Sequence, residues 1–154
     1  MTDTTNTAGE LVLLVEDDPC DARLIVRAFS KARIINPVET VTDGEMAVAY
    51  LSGQPPYDDR TRYPLPVLVL LDLKLPKLDG FEVLRWVRSH SMLRRLPIVV
   101  LTSSSLSADV GKAYELGANS YLVKPVGTNE LIDLLKTVEL YWLVTNVKPT
   151  LDSE

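Results

Sequence analysis

Short aliphatic runs that alternate with longer segments of helical periodicity constrain this chain more than any other feature. Leu11 to Val15, Val67 to Leu71 and Ile98 to Leu101 are each too short for a helix and rich in Val, Leu and Ile, the pattern of strands buried on both faces. Val38 to Thr42 and Ser120 to Val123 are weaker strand candidates, the second reached through "LGAN", where Gly117 can close a preceding helix. Between and after these runs, apolar residues recur at helical spacing. They are Leu24, Ile25, Ala28 and Phe29; Met46, Ala47, Tyr50 and Leu51; Val83, Leu84 and Val87; Val110, Ala113, Tyr114 and Gly117; and Leu131, Leu134, Leu135 and Val138. Five strands that alternate with five helices predict an α/β fold, a doubly wound five-stranded parallel sheet with right-handed crossovers and helices on both faces.

In such a sheet ligands bind beyond the C-terminal ends of the strands. There the composition changes abruptly: the first run ends in Glu16, Asp17 and Asp18, the third in Asp72, the fourth in Thr102 and Ser103, and the fifth in Lys124 and Pro125. Crowded carboxylates repel one another unless a cation binds or some keep their protons. Magnesium takes oxygen ligands, needs only one or two carboxylates and keeps water and phosphate oxygens elsewhere, which suits Asp17 and Asp72. Lys124 would offer a positive charge to an anion there, and Thr102 a hydroxyl donor. These groups around one point form a phosphoryl-acceptor site, with the protein supplying positioning and charge neutralisation.

"LLVEDDPCDARLI", "LLDLKLPKLDGFEVL", "VLTSSS" and "YLVKPV" resemble, in order and spacing, the signature segments of response-regulator receiver domains of two-component signalling, over Glu10 to Val144. The resemblance implies the flavodoxin-like receiver fold, with 1–9 and 145–154 as tails around a receiver domain at 10–144. By position Asp72 is then the phospho-acceptor. Glu16 and Asp17 are the acidic pair that holds Mg2+, joined by Asp72 and the backbone carbonyl of Lys74. Thr102 and Tyr121 are the switch hydroxyl and switch aromatic, and Lys124 contacts the phosphoryl group. The first acid of the pair is Glu16 where Asp is commoner, so its longer side chain is expected to meet the metal through water. Lys74 and Ser104 occupy places that influence phosphoryl lifetime in the family.

The implied partner is a sensor histidine kinase, and the output is contact with a downstream protein. The chain would act on no separate metabolite, its chemistry being phosphotransfer to itself and autodephosphorylation. The long connection Gly53 to Pro66, too proline-rich for a helix, and the "YW" of Tyr141 and Trp142 further resemble the single-domain regulators of cyanobacterial and other bacterial phytochrome kinases. If the last helix continues through these aromatics, Val138 and Trp142 share a face and Tyr141 points elsewhere. A homodimer through this C-terminal segment is therefore an expectation.

Other classes fit less well. A haloacid-dehalogenase-type phosphatase wants a second aspartate two residues after the first, where this chain has Lys74. A flavodoxin-type cofactor binder wants a phosphate cradle after the first strand, where it has "EDDP". A phosphate-independent pseudo-receiver conflicts with the retained Asp17, Asp72, Thr102 and Lys124. A net charge of -5 and the lack of any basic run longer than Arg94-Arg95 argue against nucleic-acid and membrane partners. The polar N-terminus, the absence of a long apolar window and the single Cys20 make the cytosol the expected compartment. Asp79, followed by Gly80, is expected to cap the next helix. His90 is read as a solvated residue at a helix end, and Cys20 as an ordinary first-turn residue.

Overall fold

The computed structural model describes residues 10–151. Strands β1 (Val12–Val15), β2 (Val38–Val41), β3 (Leu68–Leu71), β4 (Ile98–Thr102) and β5 (Ser120–Val123) form one sheet in the order β2-β1-β3-β4-β5. All four pairings are parallel. The order reverses at β1, so the C-terminal ends of β1 and β3 flank the crevice where such sheets bind ligands.

The pleat divides the core. Leu13, Val15, Val69, Leu71, Ile98 and Val100 face α2 (Gly44–Ser52), α3 (Gly80–Ser89) and α4 (Ser107–Glu115). Val12, Leu14, Leu68, Leu70, Val99 and Leu101 face α1 (Pro19–Lys31) and α5 (Thr128–Val138). Strands apolar on both faces thus become the middle layer of three.

Local chemistry sets the helix starts. Asp18 accepts the Cys20 and Asp21 amides with Pro19 at the first helical position, and Asp43 accepts the Met46 amide. Asp79 is the cap expected of it, in a reciprocal capping box with Glu82. Past α4, Gly117 adopts φ 107°, a left-handed turn that favours glycine.

Two expectations need correction. Leu24 and Tyr114, placed on buried faces by periodicity, are 45% and 49% exposed, because each sits at the margin of its helix's apolar stripe. The last helix does continue beyond Val138, but Glu139–Thr145 is wound as a π-helix, with the Asn146 amide donating to the Tyr141 carbonyl at 2.6 Å. The wider winding turns Leu143, five residues after Val138, fully into the core, while Trp142 packs only partly against it and Tyr141 is exposed. Of the segment 145–154 expected as a tail, residues 145–151 lie against the domain, and 152–154 lie outside the described residues. Lys148 pairs with Glu10 at 3.2 Å and donates to the Leu143 carbonyl at 2.8 Å, and Leu151 rests on the core. Residues 1–9, expected as a tail, lie outside the described residues. Among the described residues no helix is long and apolar enough to cross a membrane.

Candidate functional site

Asp72 is the first residue past fully buried β3. Its amide still donates to the Val15 carbonyl at 3.1 Å, so the backbone leaves the sheet under control of β1. The next amide, of Leu73, donates to Asp72 Oδ1 at 2.8 Å and fixes the side chain. Behind it, Gly80 starts α3 so close that a Cβ there would stand 2.4 Å from the Asp72 carbonyl oxygen and 2.7 Å from Leu73 Cα. Only glycine allows this approach. The "DG" pair thus does two jobs: Asp79 caps the helix and Gly80 seats it against Asp72.

Glu16 follows β1 and is 1% exposed. Its Oε2 accepts the Asp18 amide at 3.1 Å and its Oε1 accepts Lys124 Nζ at 2.5 Å. Asp17 beside it is exposed. Carboxylate oxygens of Glu16, Asp17 and Asp72 lie within 4.8 Å of one another. This is a compact set of hard oxygen donors, the kind that suits a small divalent cation.

Lys124, just past β5, reaches three acids at once: Glu16, Asp21 at 3.0 Å and Asp72 at 3.3 Å. Burial alone would lower its pKa, but hydrogen bonds and charge from these acids outweigh that and hold it above the ordinary value. Glu16 moves the other way from a usual salt-bridged acid. Burial pushes it up to about 7, with Asp72 adding to the rise, against the lowering effects of Lys124 and the Asp18 amide. The two directions agree physically. One ammonium shared among several carboxylates is strongly stabilised, while buried Glu16 is only partly compensated.

Thr102 ends β4, the strand beside β3, and is 1% exposed. Its backbone is tied, since the Lys124 amide donates to its carbonyl at 2.7 Å, yet its buried hydroxyl has no hydrogen-bond partner among the described residues. An unmet buried hydroxyl is costly and marks a place where a further polar group fits. Tyr121 does not join the acids. Its hydroxyl donates to the Ser104 carbonyl at 2.9 Å, and Ser104 Oγ donates to Asp109 Oδ2 at 2.6 Å, so β5 and α4 are both fastened to the loop after Thr102. Burial raises the Tyr121 pKa, offset in part by that hydrogen bond.

The structure therefore gathers Glu16, Asp17, Asp72, Thr102 and Lys124 at one rim and sets Tyr121 one loop away. The Lys74 side chain is exposed on the loop between β3 and α3. Tyr141 and Trp142 stack edge to face on the π-helix, with ring centroids 5.0 Å apart. Cys20 is exposed, and His90 caps the end of α3 with its ring 5.1 Å from that of Trp86. Asp21 was missed by the sequence reading. Its signal was an acid in the first turn of the helix that leaves the rim.

Residues 12–136 match the model of the response regulator receiver domain. Response regulator Rcp1 of Synechocystis is 38% identical over 149 residues, covering 97% of this chain and 99% of its own length. The probable methanogenesis regulatory protein FilR2 of Methanothrix harundinacea is 40% identical over 139 residues, covering 90% of this chain and 87% of its own. Among solved structures, the phosphorylated cyanobacterial phytochrome response regulator RcpA superposes with a TM-score of 0.85 at 38% identity, covering 92% of this chain and 99% of that one. The Mn2+-bound form of Rcp1 superposes with a TM-score of 0.81, at the same identity and coverage.

Proposed function

The chain belongs to the response regulator receiver family of two-component signalling, and from that membership we propose that Asp72 is its phospho-acceptor, charged by a sensor histidine kinase of the phytochrome class. An Asp72 carboxylate oxygen forms the new bond to phosphorus as the bond from phosphorus to the donor imidazole nitrogen breaks, and the imidazole leaves. Leu73's amide orients the attacking carboxylate, and Lys124 and Thr102 receive the phosphoryl oxygens. The observation that carries this reading is the Thr102 hydroxyl, buried without a partner at the strand end next to Asp72. A phosphoryl oxygen is the acceptor it lacks.

Glu16, Asp17 and Asp72, with the Lys74 backbone carbonyl, would hold Mg2+, for which their oxygens are suitably close. The metal, when bound, supplies positive charge that offsets the charge on the phosphoryl group. Output would pass by protein contact, through the segment that Tyr121 and Asp109 fasten to the loop after Thr102. The exposed ridge of Leu140, Tyr141 and Val144, at 65%, 51% and 60%, supports a second copy of this chain as one such contact.

Intact mass after incubation with a small acyl phosphate and Mg2+ tests this. One phosphoryl group should be gained, should be labile to hydroxylamine and should be absent in Asp72→Asn, and the loaded sample should sediment at dimer mass. Failure to gain a phosphoryl group with any donor or divalent metal would refute the acceptor assignment; monomer mass of the loaded chain would refute the dimer.

A further inference from the structure

Lys124 is held by more acid than phosphoryl binding requires. Of its three carboxylate partners, Glu16 and Asp72 belong to the cluster that suits a cation, whereas Asp21, on the first turn of α1, does not. Asp21 lies nearer the ammonium, at 3.0 Å, than Asp72 does, at 3.3 Å. A cation that engages Glu16 and Asp72 would weaken their hold on Lys124 and leave Asp21 as the one partner with no other claim on it. An incoming phosphoryl group must then draw the lysine away from α1.

We propose that Asp21 is a positioning residue for phosphoryl transfer, its carboxylate holding the Lys124 ammonium toward α1 in competition with the group carried on Asp72. The inference rests on the receiver reading and deepens it. The competition is one of contact rather than of general field, because the lysine side chain is 12% exposed and Asp21 is the more open partner at 39%. A lysine with a compact, rotatable ammonium can move between two acceptors without moving its backbone, and here that backbone is fixed by the Lys124 amide on Thr102. In this arrangement the resting state spends part of its binding capacity for the phosphoryl group on an internal anion. The depth of that competition sets how readily the switch closes.

The test is the affinity for beryllofluoride, a phosphoryl mimic, measured with saturating Mg2+ on wild type, Asp21→Asn and Asp21→Glu, together with Mg2+ affinity alone. Asp21→Asn should bind the mimic about fivefold more tightly, the weight of a part-exposed ion pair, with Mg2+ affinity within about twofold of wild type. Asp21→Glu should restore the competition, and the gain in Asp21→Asn should persist at high salt, where a loss of general negative field would be screened. A merely structural first-turn acid would change stability and leave this split unmoved. Equal mimic affinity in wild type and Asp21→Asn, or a gain matched by Mg2+ affinity or abolished by salt, would overturn the inference. A wild-type chain that takes up no beryllofluoride would overturn the phospho-acceptor assignment of Asp72 and this inference with it.

Discussion

The acidic rim and the Gly53–Pro66 loop are both polar segments folded against the same sheet, and they leave their polar groups in opposite states. In the loop nearly every demanding group is met. Arg60 donates to the Leu51 carbonyl at 2.8 Å and the Tyr63 carbonyl at 2.9 Å, and the buried Tyr50 hydroxyl donates to the Pro64 carbonyl at 2.8 Å. The rings of Tyr50, Tyr57 and Tyr63 contact one another, with centroids 5.0, 5.2 and 6.0 Å apart. The long connection thus extends the core on the α2 and α3 side of the sheet, and burial pushes the Tyr50 hydroxyl up to about 12. At the rim, by contrast, the backbone is fixed tightly while the side chains remain electrostatically unfinished: a partnerless hydroxyl, a buried glutamate pushed up to about 7, and one lysine shared by three acids. A segment whose polar groups are all answered is complete as structure. One with groups left over is completed by a ligand.

The fit of α3 against Asp72 is the rim's most sensitive point. Gly80→Ala would press a Cβ onto the backbone of Asp72 and Leu73, atoms that cannot swing aside. We expect a stability loss of about 3 kcal/mol, at the upper end for overpacking, and phosphoryl uptake reduced by at least about tenfold as Asp72 is displaced. Urea unfolding and intact mass read the two effects. Wild-type uptake in this variant would show that the rim does not depend on the fit of α3. Arg60→Ala should do the reverse of what a rim change does. It strips two carbonyls of their partner in a half-buried place and should cost about 2 kcal/mol, with phosphoryl uptake unchanged. Loss of uptake at full stability would mean that the loop is part of the switch rather than an extension of the core.

How much of this was legible in the sequence follows the same division. Strands Val12–Val15 and Leu68–Leu71 could be read within a residue because runs buried on both faces carry an unmistakable pattern. The rim acids could be read because hydrophilic residues abruptly end those runs, and Asp79 because a capping box is a local code. What stayed hidden depends on packing or on distant partners. Gly80's close approach to Asp72 looks, in sequence, like any turn glycine. Asp21 meets Lys124 across 103 positions, a pairing that only the fold creates. The π-winding of Glu139–Thr145 carries the same apolar spacing as an α-helix. It shows only in hydrogen bonds such as that from Asn146 to Tyr141, and in the burial of Leu143 in place of Trp142.

The smallest expected effect is also the one that reverses sign between the two regions. Thr102→Val replaces the hydroxyl by a methyl group of similar size at a site 1% exposed. Because that hydroxyl has no partner to lose, removing it relieves a desolvation cost, and the resting protein should gain about 1 kcal/mol in urea unfolding. A polar group removed from the Gly53–Pro66 loop costs stability; one removed from the rim adds it. The same variant should hold beryllofluoride more weakly than wild type, since the donor that would have met the mimic's fluorine atoms is gone, and the stabilisation that the mimic confers on unfolding should shrink accordingly. A valine variant less stable than wild type before any ligand is added would mean that the Thr102 hydroxyl is already satisfied at rest. The rim would then be as complete as the loop, and the difference between them would have to be sought in the acids alone.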